Sequence, residues 1–396
     1  LASSAENLMQ RILASWTPRK GRYIAHARAH ACRCGRTILF RESVCRGCGT
    51  PLGFEPRLRK LGALAPGARE GTWHLASGKG SAVLYRRCGN FDSPAACNWL
   101  VPVKDRSALC VSCRLNRHIP DLGDADNRRY WAAIELAKRR MVAQLVTLGL
   151  PVRSKVDEDP ERGVAFDLLR SPPAGPPVMT GHASGLITLN VEEADDSKRE
   201  KIRHNLREPY RTLLGHFRHE IGHYYWDRLI AGTVWHEPCR QLFGDERADY
   251  AAALEANYQE GPSADWAQQH VSSYASIHPW EDWAETWAHY LHLLDSLATA
   301  IGFGFTGRNA EVEVETFSPS DLYAPSHPDA ARVLALVNSW VALTTVMNEL
   351  SRSMGQPDFY PFVLAPAVLR KLHFIHLVIN DEQAWAGASA ATAVSR

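Results

Sequence analysis

At 396 residues the chain is long enough for two domains, a main body with a sizeable core and a smaller module. It is 45% hydrophobic and 22% charged, and no apolar run approaches the roughly 20 residues of a membrane span, so a globular, soluble protein that does not cross a membrane is expected. The net charge of +2 hides an asymmetry: residues 1–120 hold 20 Lys and Arg against 6 Asp and Glu, a net of +14, which leaves −12 for the rest.

The opening LASSAENLMQRILASW has neither a basic lead nor a continuous apolar stretch, so no signal peptide is expected and the expected location is cytoplasmic. Eight of the nine cysteines then fall between Cys32 and Cys113, in a Gly-, Pro- and Arg-rich region with only short apolar runs. In CRCGRTILFRESVCRGCG two close pairs, Cys32 with Cys34 and Cys45 with Cys48, are separated by ten residues. Each pair sits on a tight glycine-containing turn, and four thiolates there close a tetrahedral structural zinc site. The first spacing, C-x-C, is tighter than the usual C-x-x-C. Cys88, Cys97, Cys110 and Cys113 form a looser second set in which Cys110-x-x-Cys113 is the strong pair. Two four-cysteine zinc sites in residues 1–120 are the reading preferred over disulfides, given the close pairs and the expected reducing compartment. Eight thiolates on two ions would still leave this module near +10, enough to attract an anionic partner, nucleic acid or an acidic protein. Cys239 stands apart as an expected buried, unligated thiol.

After a linker around Ile119 to Asp126, residues 127–150 carry apolar residues at helical spacing and end before Pro151. A Pro-rich loop follows at 171–180, then Gly185 to Val191 reads as a strand with alternating faces. Helical patterns cover approximately 197–231, 245–258, 280–301, 327–351 and 366–379, and residues 386–396 read as a disordered Ala, Ser and Thr tail. The expected fold is α+β: a mainly helical domain over 121–385 with a small sheet, preceded by the cysteine module.

Within Gly215 to Arg228, GHFRHEIGHYYWDR, lies H-E-x-x-H at His219, Glu220 and His223. Residues four apart on a helix share a face, so both imidazoles can bind one ion, and Glu220 beside them can take a proton from water. The upstream strand is a candidate edge for pairing an extended substrate, or equally an ordinary sheet strand. No further His follows soon after His223, so a third ligand must come from elsewhere. Glu281, in the first turn of a helix opened by Pro279, is the best candidate; Glu285, one turn on, is either the ligand instead or a group that orients a ligand histidine. Asp245, Arg247 and Asp249 read as salt-bridged helix residues or as groups that support the metal ligands, the former preferred, His278, His289 and His292 as packing or surface histidines, and His216 as a substrate contact.

The run E-D-W-A-E-T-W from Glu281 resembles the Glu-x-x-Ala-Glu helix of gluzincin-type peptidases related to anthrax lethal factor, in which the first Glu binds zinc. A Tyr seven residues earlier donates to the oxyanion in those enzymes, and Tyr274 stands at that spacing. More broadly the chain, up to about Gly302, resembles a bacterial family of zinc-binding metallopeptidases with an N-terminal zinc ribbon. The resemblance implies a zincin-like fold and zinc-dependent peptide hydrolysis, with Glu220 as general base, Tyr274 as oxyanion donor, and one catalytic and two structural Zn²⁺. The competing expectation is a nucleic-acid-associated binding protein whose helix site is only structural.

Overall fold

The computed structural model describes residues 30–76, 83–205, 208–305 and 312–381. These pack as two compact units. One runs from 30 to Phe217 and takes in Gly302–Gly304; the other comprises Arg218–Ile301 and the stretch from Phe305 to 381.

The first unit opens with the two-stranded antiparallel pair β1 (His30–Ala31) and β2 (Thr37–Ile38). A five-stranded antiparallel sheet follows in simple order: β3 (Leu52–Glu55), β4 (Lys60–Pro66), β5 (Trp73–Leu75), β6 (Tyr85–Arg87) and β7 (Leu100–Pro102). With such short strands the apolar interior is small. Leu64, Leu75, Tyr85 and Leu100 form one cluster under Trp73, and Phe54 packs on Phe40 and Trp99 with ring centroids 5.0 and 4.8 Å apart. A core of this size leaves much of the module's stability to other interactions.

β8 (Asn116–His118) leads to α1 (Ala125–Thr147), whose first turn is capped by Asp124 accepting the amides of Asp126 and Asn127 at 2.8 and 3.0 Å. Gly149, at φ +78°, turns the chain out of the helix before Pro151. β9 (Ala165–Leu169), β10 (Gly181–Ala183) and β11 (Leu186–Asn190) complete a mixed sheet in the order β10-β11-β9-β8. The strand expected at 185–191 is therefore interior, hydrogen-bonded to β10 on one side and β9 on the other. The edges of this sheet among the described residues are β10 and β8, so of the two readings of 185–191 the ordinary sheet strand holds and the substrate-pairing edge does not.

The helical pattern at 197–231 is two helices, α2 (Asp196–Asn205) and α3 (Leu213–Leu229). Pro209 explains the break, since it lacks an amide hydrogen and disfavours helical backbone at Glu208. Thr212 then starts α3 by accepting the Gly215 amide at 3.0 Å.

In the second unit the rest of α3 is followed by α4 (His236–Phe243), which periodicity alone had not singled out, and by α5 (Tyr250–Glu260), α6 (Trp266–Gln269), α7 (Pro279–Gly302), α8 (Ala330–Ser353) and α9 (Pro366–Asn380). α3 and α7 are locked together by large rings. Tyr225 stacks on Trp287 at 5.0 Å, and the buried Trp283 indole donates to the Gly222 carbonyl at 2.9 Å. Gly222 permits this approach, because a Cβ there would lie 3.1 Å from the Ala284 Cα. α8 is long and apolar enough to cross a membrane by length and composition, with a mean hydropathy of 1.5 over its most apolar window, and it buries Val333, Leu336, Val337 and Trp340 against the protein. The tail expected at 386–396 lies outside the described residues.

Candidate metal centre

α3 carries His219 and His223 on one face, with ring centroids 4.9 Å apart, and α7 brings Glu281 to them from 58 residues further along the chain. Glu281 Oε2 lies 3.0 Å from His219 Nε2 and 3.6 Å from His223 Nε2, and all three side chains are buried. The second ring nitrogen of His219, Nδ1, lies 2.8 Å from Glu285 Oε1, and Glu285 Oε2 accepts the Ser272 hydroxyl at 2.6 Å. A proton on Nδ1 directed at Glu285 would leave the Nε2 lone pair available to an ion. Glu281 Oε2 is buried without a well-directed hydrogen bond despite its short contacts. Two imidazole nitrogens and a carboxylate oxygen that converge in this way fit a divalent cation of the zinc type.

Charge at the centre follows the same geometry. Burial disfavours the charged His219 ring, but Glu281 and Glu285 outweigh it and hold its pKa well above the ordinary value. Burial likewise works against the Glu285 carboxylate, yet His219 and Ser272 bring it down to about 2. Glu281 is depressed further, by both histidines.

Glu220 is buried next to His219 on α3. Tyr274 sits in the short turn Tyr274–Ser276 just before α7, with its ring centroid 5.8 Å from that of His219. The ring is 37% exposed, but its hydroxyl end faces Glu281 and Tyr250, and burial with those neighbours pushes its pKa far up. Trp280 stacks on His223 at 5.1 Å and packs on Trp226, walling one side. Tyr250, which no spacing singled out, donates its hydroxyl to Glu281 Oε1 at 2.9 Å.

The other histidines have their own contacts. His278 bridges to the Ala248 carbonyl at 3.0 Å, His289 meets the Tyr360 hydroxyl at 2.5 Å, and His292 faces Arg218 at 2.7 Å. His216 Nδ1 lies 2.6 Å from Glu193, which Arg211 also contacts at 3.2 Å. Arg247 pairs with Asp245 at 2.6 Å, and Asp249 caps α5 by accepting the Ala252 amide at 3.0 Å. Cys239 is buried, and burial pushes its thiol up to about 12.

Two further donor sets lie in the first unit. Cys32, Cys34, Cys45 and Cys48 converge near the surface, with Cys34 and Cys48 exposed; Cys88, Cys97, Cys110 and Cys113 converge in the interior with all four buried. The Cys32–Cys48 and Cys97–Cys110 sulfur separations of 3.6 and 3.7 Å are far beyond a disulfide bond and suit neighbouring ligands of one ion. The Thr50 hydroxyl and amide beside Cys48 pull its thiol down to about 6, favouring the thiolate that metal binding requires. In the second set the Cys110 amide points to Cys88 Sγ at 3.3 Å and the Cys113 amide to Cys110 Sγ at 3.4 Å.

Comparison with known proteins adds the family context. A family model described as "putative zinc-binding metallo-peptidase" matches residues 127–378, and a zinc-ribbon domain model matches residues 29–124. An uncharacterized protein of Mycobacterium tuberculosis (strain ATCC 25618 / H37Rv) and one of Mycobacterium bovis are each 41% identical to this chain over 353 residues, 89% of it and 95% of the relative. No solved structure matches.

Proposed function

The chain belongs to the zinc-binding metallo-peptidase family with an N-terminal zinc ribbon, and from that premise we propose that it hydrolyses peptide bonds at the α3–α7 centre in the gluzincin manner. The observation that carries this reading is the convergence of His219 Nε2, His223 Nε2 and Glu281 Oε2, with Glu285 fixing the His219 tautomer and Glu220 alongside. Bound zinc would supply Lewis acidity toward the scissile carbonyl and lower the pKa of the attacking water. Glu220 takes the proton from that water as its oxygen bonds to the carbonyl carbon, and passes it to the amine as the C–N bond breaks. The Tyr274 hydroxyl donates to the carbonyl oxygen as that oxygen becomes anionic. Glu285, anchored by Ser272, keeps His219 from rotating.

In this reading residues 1–120 are the zinc-ribbon module, 121–385 the peptidase domain, and the chain holds three Zn²⁺, one catalytic and two structural. Thiolate sites of this kind suit a reducing compartment, which supports a cytoplasmic location. Cleavage of casein or a peptide library by the full chain, compared with Glu220→Gln, tests the reading. Turnover that disappears in the variant while zinc stays bound supports it, and zinc without turnover in the unaltered protein sinks it in favour of a structural centre.

A second reading concerns the module. Arg33, Arg36, Arg41 and Arg46 are exposed around the first cysteine set, and Glu42 pairs with Arg46 at 3.2 Å. We propose that this basic face takes an anionic partner, nucleic acid or an acidic protein. Binding to DNA or RNA that weakens steeply with salt and is lost on neutralising these arginines would support nucleic acid.

A further inference from the structure

We propose that Tyr250 is a positioning residue for the helix centre: by holding Glu281 Oε1 it confines that carboxylate to one-oxygen ligation and keeps a coordination position open for substrate. This rests on the metallopeptidase reading above. The Tyr250 hydroxyl donates to Oε1 at 2.9 Å, while Oε2 is the oxygen that faces His219 Nε2 and His223 Nε2. A carboxylate whose two oxygens were both free could swing and take two positions on one ion. With Oε1 held by a phenol, Oε2 alone remains for it, and the zinc keeps two imidazoles, one oxygen and an open site.

The placement of Tyr250 is built rather than incidental. Tyr250 is the first residue of α5, and Asp249 caps that helix. The Trp280 amide donates to His278 Nδ1 at 3.0 Å, so His278 Nε2 carries the ring proton and donates to the Ala248 carbonyl, also at 3.0 Å. That bond ties the chain two residues before Tyr250 to the chain three residues before Glu281. The Tyr250 ring also packs edge-on against His278 at 5.3 Å. A third tether lies at Gly244, where an added Cβ would sit 2.9 Å from the Pro279 ring that opens α7. α5 itself buries no side chain, so general packing does not explain why its first residue reaches the candidate ligand.

The test uses the full-length protein, its Tyr250→Phe variant, and Tyr258→Phe as a control, since Tyr258 lies on the same helix and is 71% exposed. Zinc affinity of the helix centre is measured by chelator competition. The centre is then emptied and refilled with Co²⁺, whose visible absorption reports coordination number. Tyr250→Phe should bind zinc about 10- to 100-fold more weakly and shift the cobalt spectrum from a four-coordinate toward a five-coordinate form. Tyr258→Phe should change neither. A Tyr250→Phe protein with unaltered zinc affinity and cobalt spectrum overturns the inference, as does one that loses only kcat, which would place the phenol on the substrate or on Tyr274, whose hydroxyl it also meets. If the unaltered protein takes up no ion at the helix centre, the metallopeptidase reading falls as well, so the two failures are told apart.

Discussion

The four cysteines at 88, 97, 110 and 113 hang on turns between short strands, whereas His219, His223 and Glu281 project from two helices fixed to each other by Trp283, Trp287, Tyr225 and Gly222. Around the cysteines the apolar core is small, and buried polar groups lean on the cluster. Cys113 Sγ is 3.8 Å from Glu135, which is buried with Lys138 at 2.6 Å. At the helix centre His219 lies between two carboxylates, Glu281 at 3.0 Å and Glu285 at 2.8 Å. The contrast predicts that a metal at the cysteine set would be part of what holds the fold, whereas one at the helix centre would bind to a fold that packing already completes.

The harshest way to break this contrast is Cys110→Ser. Structural zinc sites of small domains are worth about 10–16 kcal/mol of apparent binding free energy, so losing one ligand should cost most of the module's stability. The expected result is zinc content lower by one ion and rapid proteolysis within residues 30–120. A variant that resists protease like the parent would mean that the sheet core suffices alone.

Tyr274→Phe probes the opposite region. Removing the hydroxyl should lower kcat by about 10²- to 10³-fold, roughly 2.7–4 kcal/mol of barrier, with zinc content and melting temperature unchanged. A fall in zinc content alongside activity would show that the ring supports the donors.

These residues also mark how far the sequence could be read. H-E-x-x-H needs only one helix of ordinary geometry, so its spacing alone brought two donors together. The first-turn position and the Glu-x-x-Ala-Glu resemblance already favour Glu281 over Glu285; what the α3–α7 packing adds is the distances, with Glu281 at the imidazoles and Glu285 behind His219. Tyr250 was out of reach, since its link to Glu281 runs through a tertiary contact between α5 and α7 that no periodicity encodes. The strand at 185–191 was legible as a strand but not as an interior one, because alternation reports which faces are apolar, not which neighbours pair. Pro209 marks the break between α2 and α3, and the helical pattern at 197–231 runs across it even though α2 carries one apolar residue, Ile202, and buries no side chain.

Selective removal of the helix-centre ion should do less than loss of a cysteine ligand. An ion held at a hundred times its Kd contributes about 2.7 kcal/mol, and a loss of that order is expected when a chelator strips His219, His223 and Glu281 but leaves the thiolate sites filled. Far-UV circular dichroism should keep its helical signal while the melting temperature drops by several degrees. Loss of helix on stripping would show that α3 and α7 need the ion to pair.

Gly222→Ala is the mildest change, and its sign is what matters. Alanine is the better helix former by about 1 kcal/mol, so if α3 merely lay near α7 the variant would melt higher. The new methyl, however, meets the Ala284 Cα at 3.1 Å and the Trp287 Cβ at 3.2 Å, and neither is the far end of a flexible side chain. α7 must therefore shift by a few tenths of an ångström, at a packing cost of about 1–3 kcal/mol, leaving a small net destabilisation. Glu281 rides on α7, so the same shift moves a donor relative to His219 and His223, and displacements of this order are expensive at a reacting centre. Melting temperature, zinc affinity and kcat should then fall together, the last by about tenfold. A stabilised variant with full activity would show that the two helices have slack between them, and the contrast between a metal-built module and a packing-built centre would lose its second half.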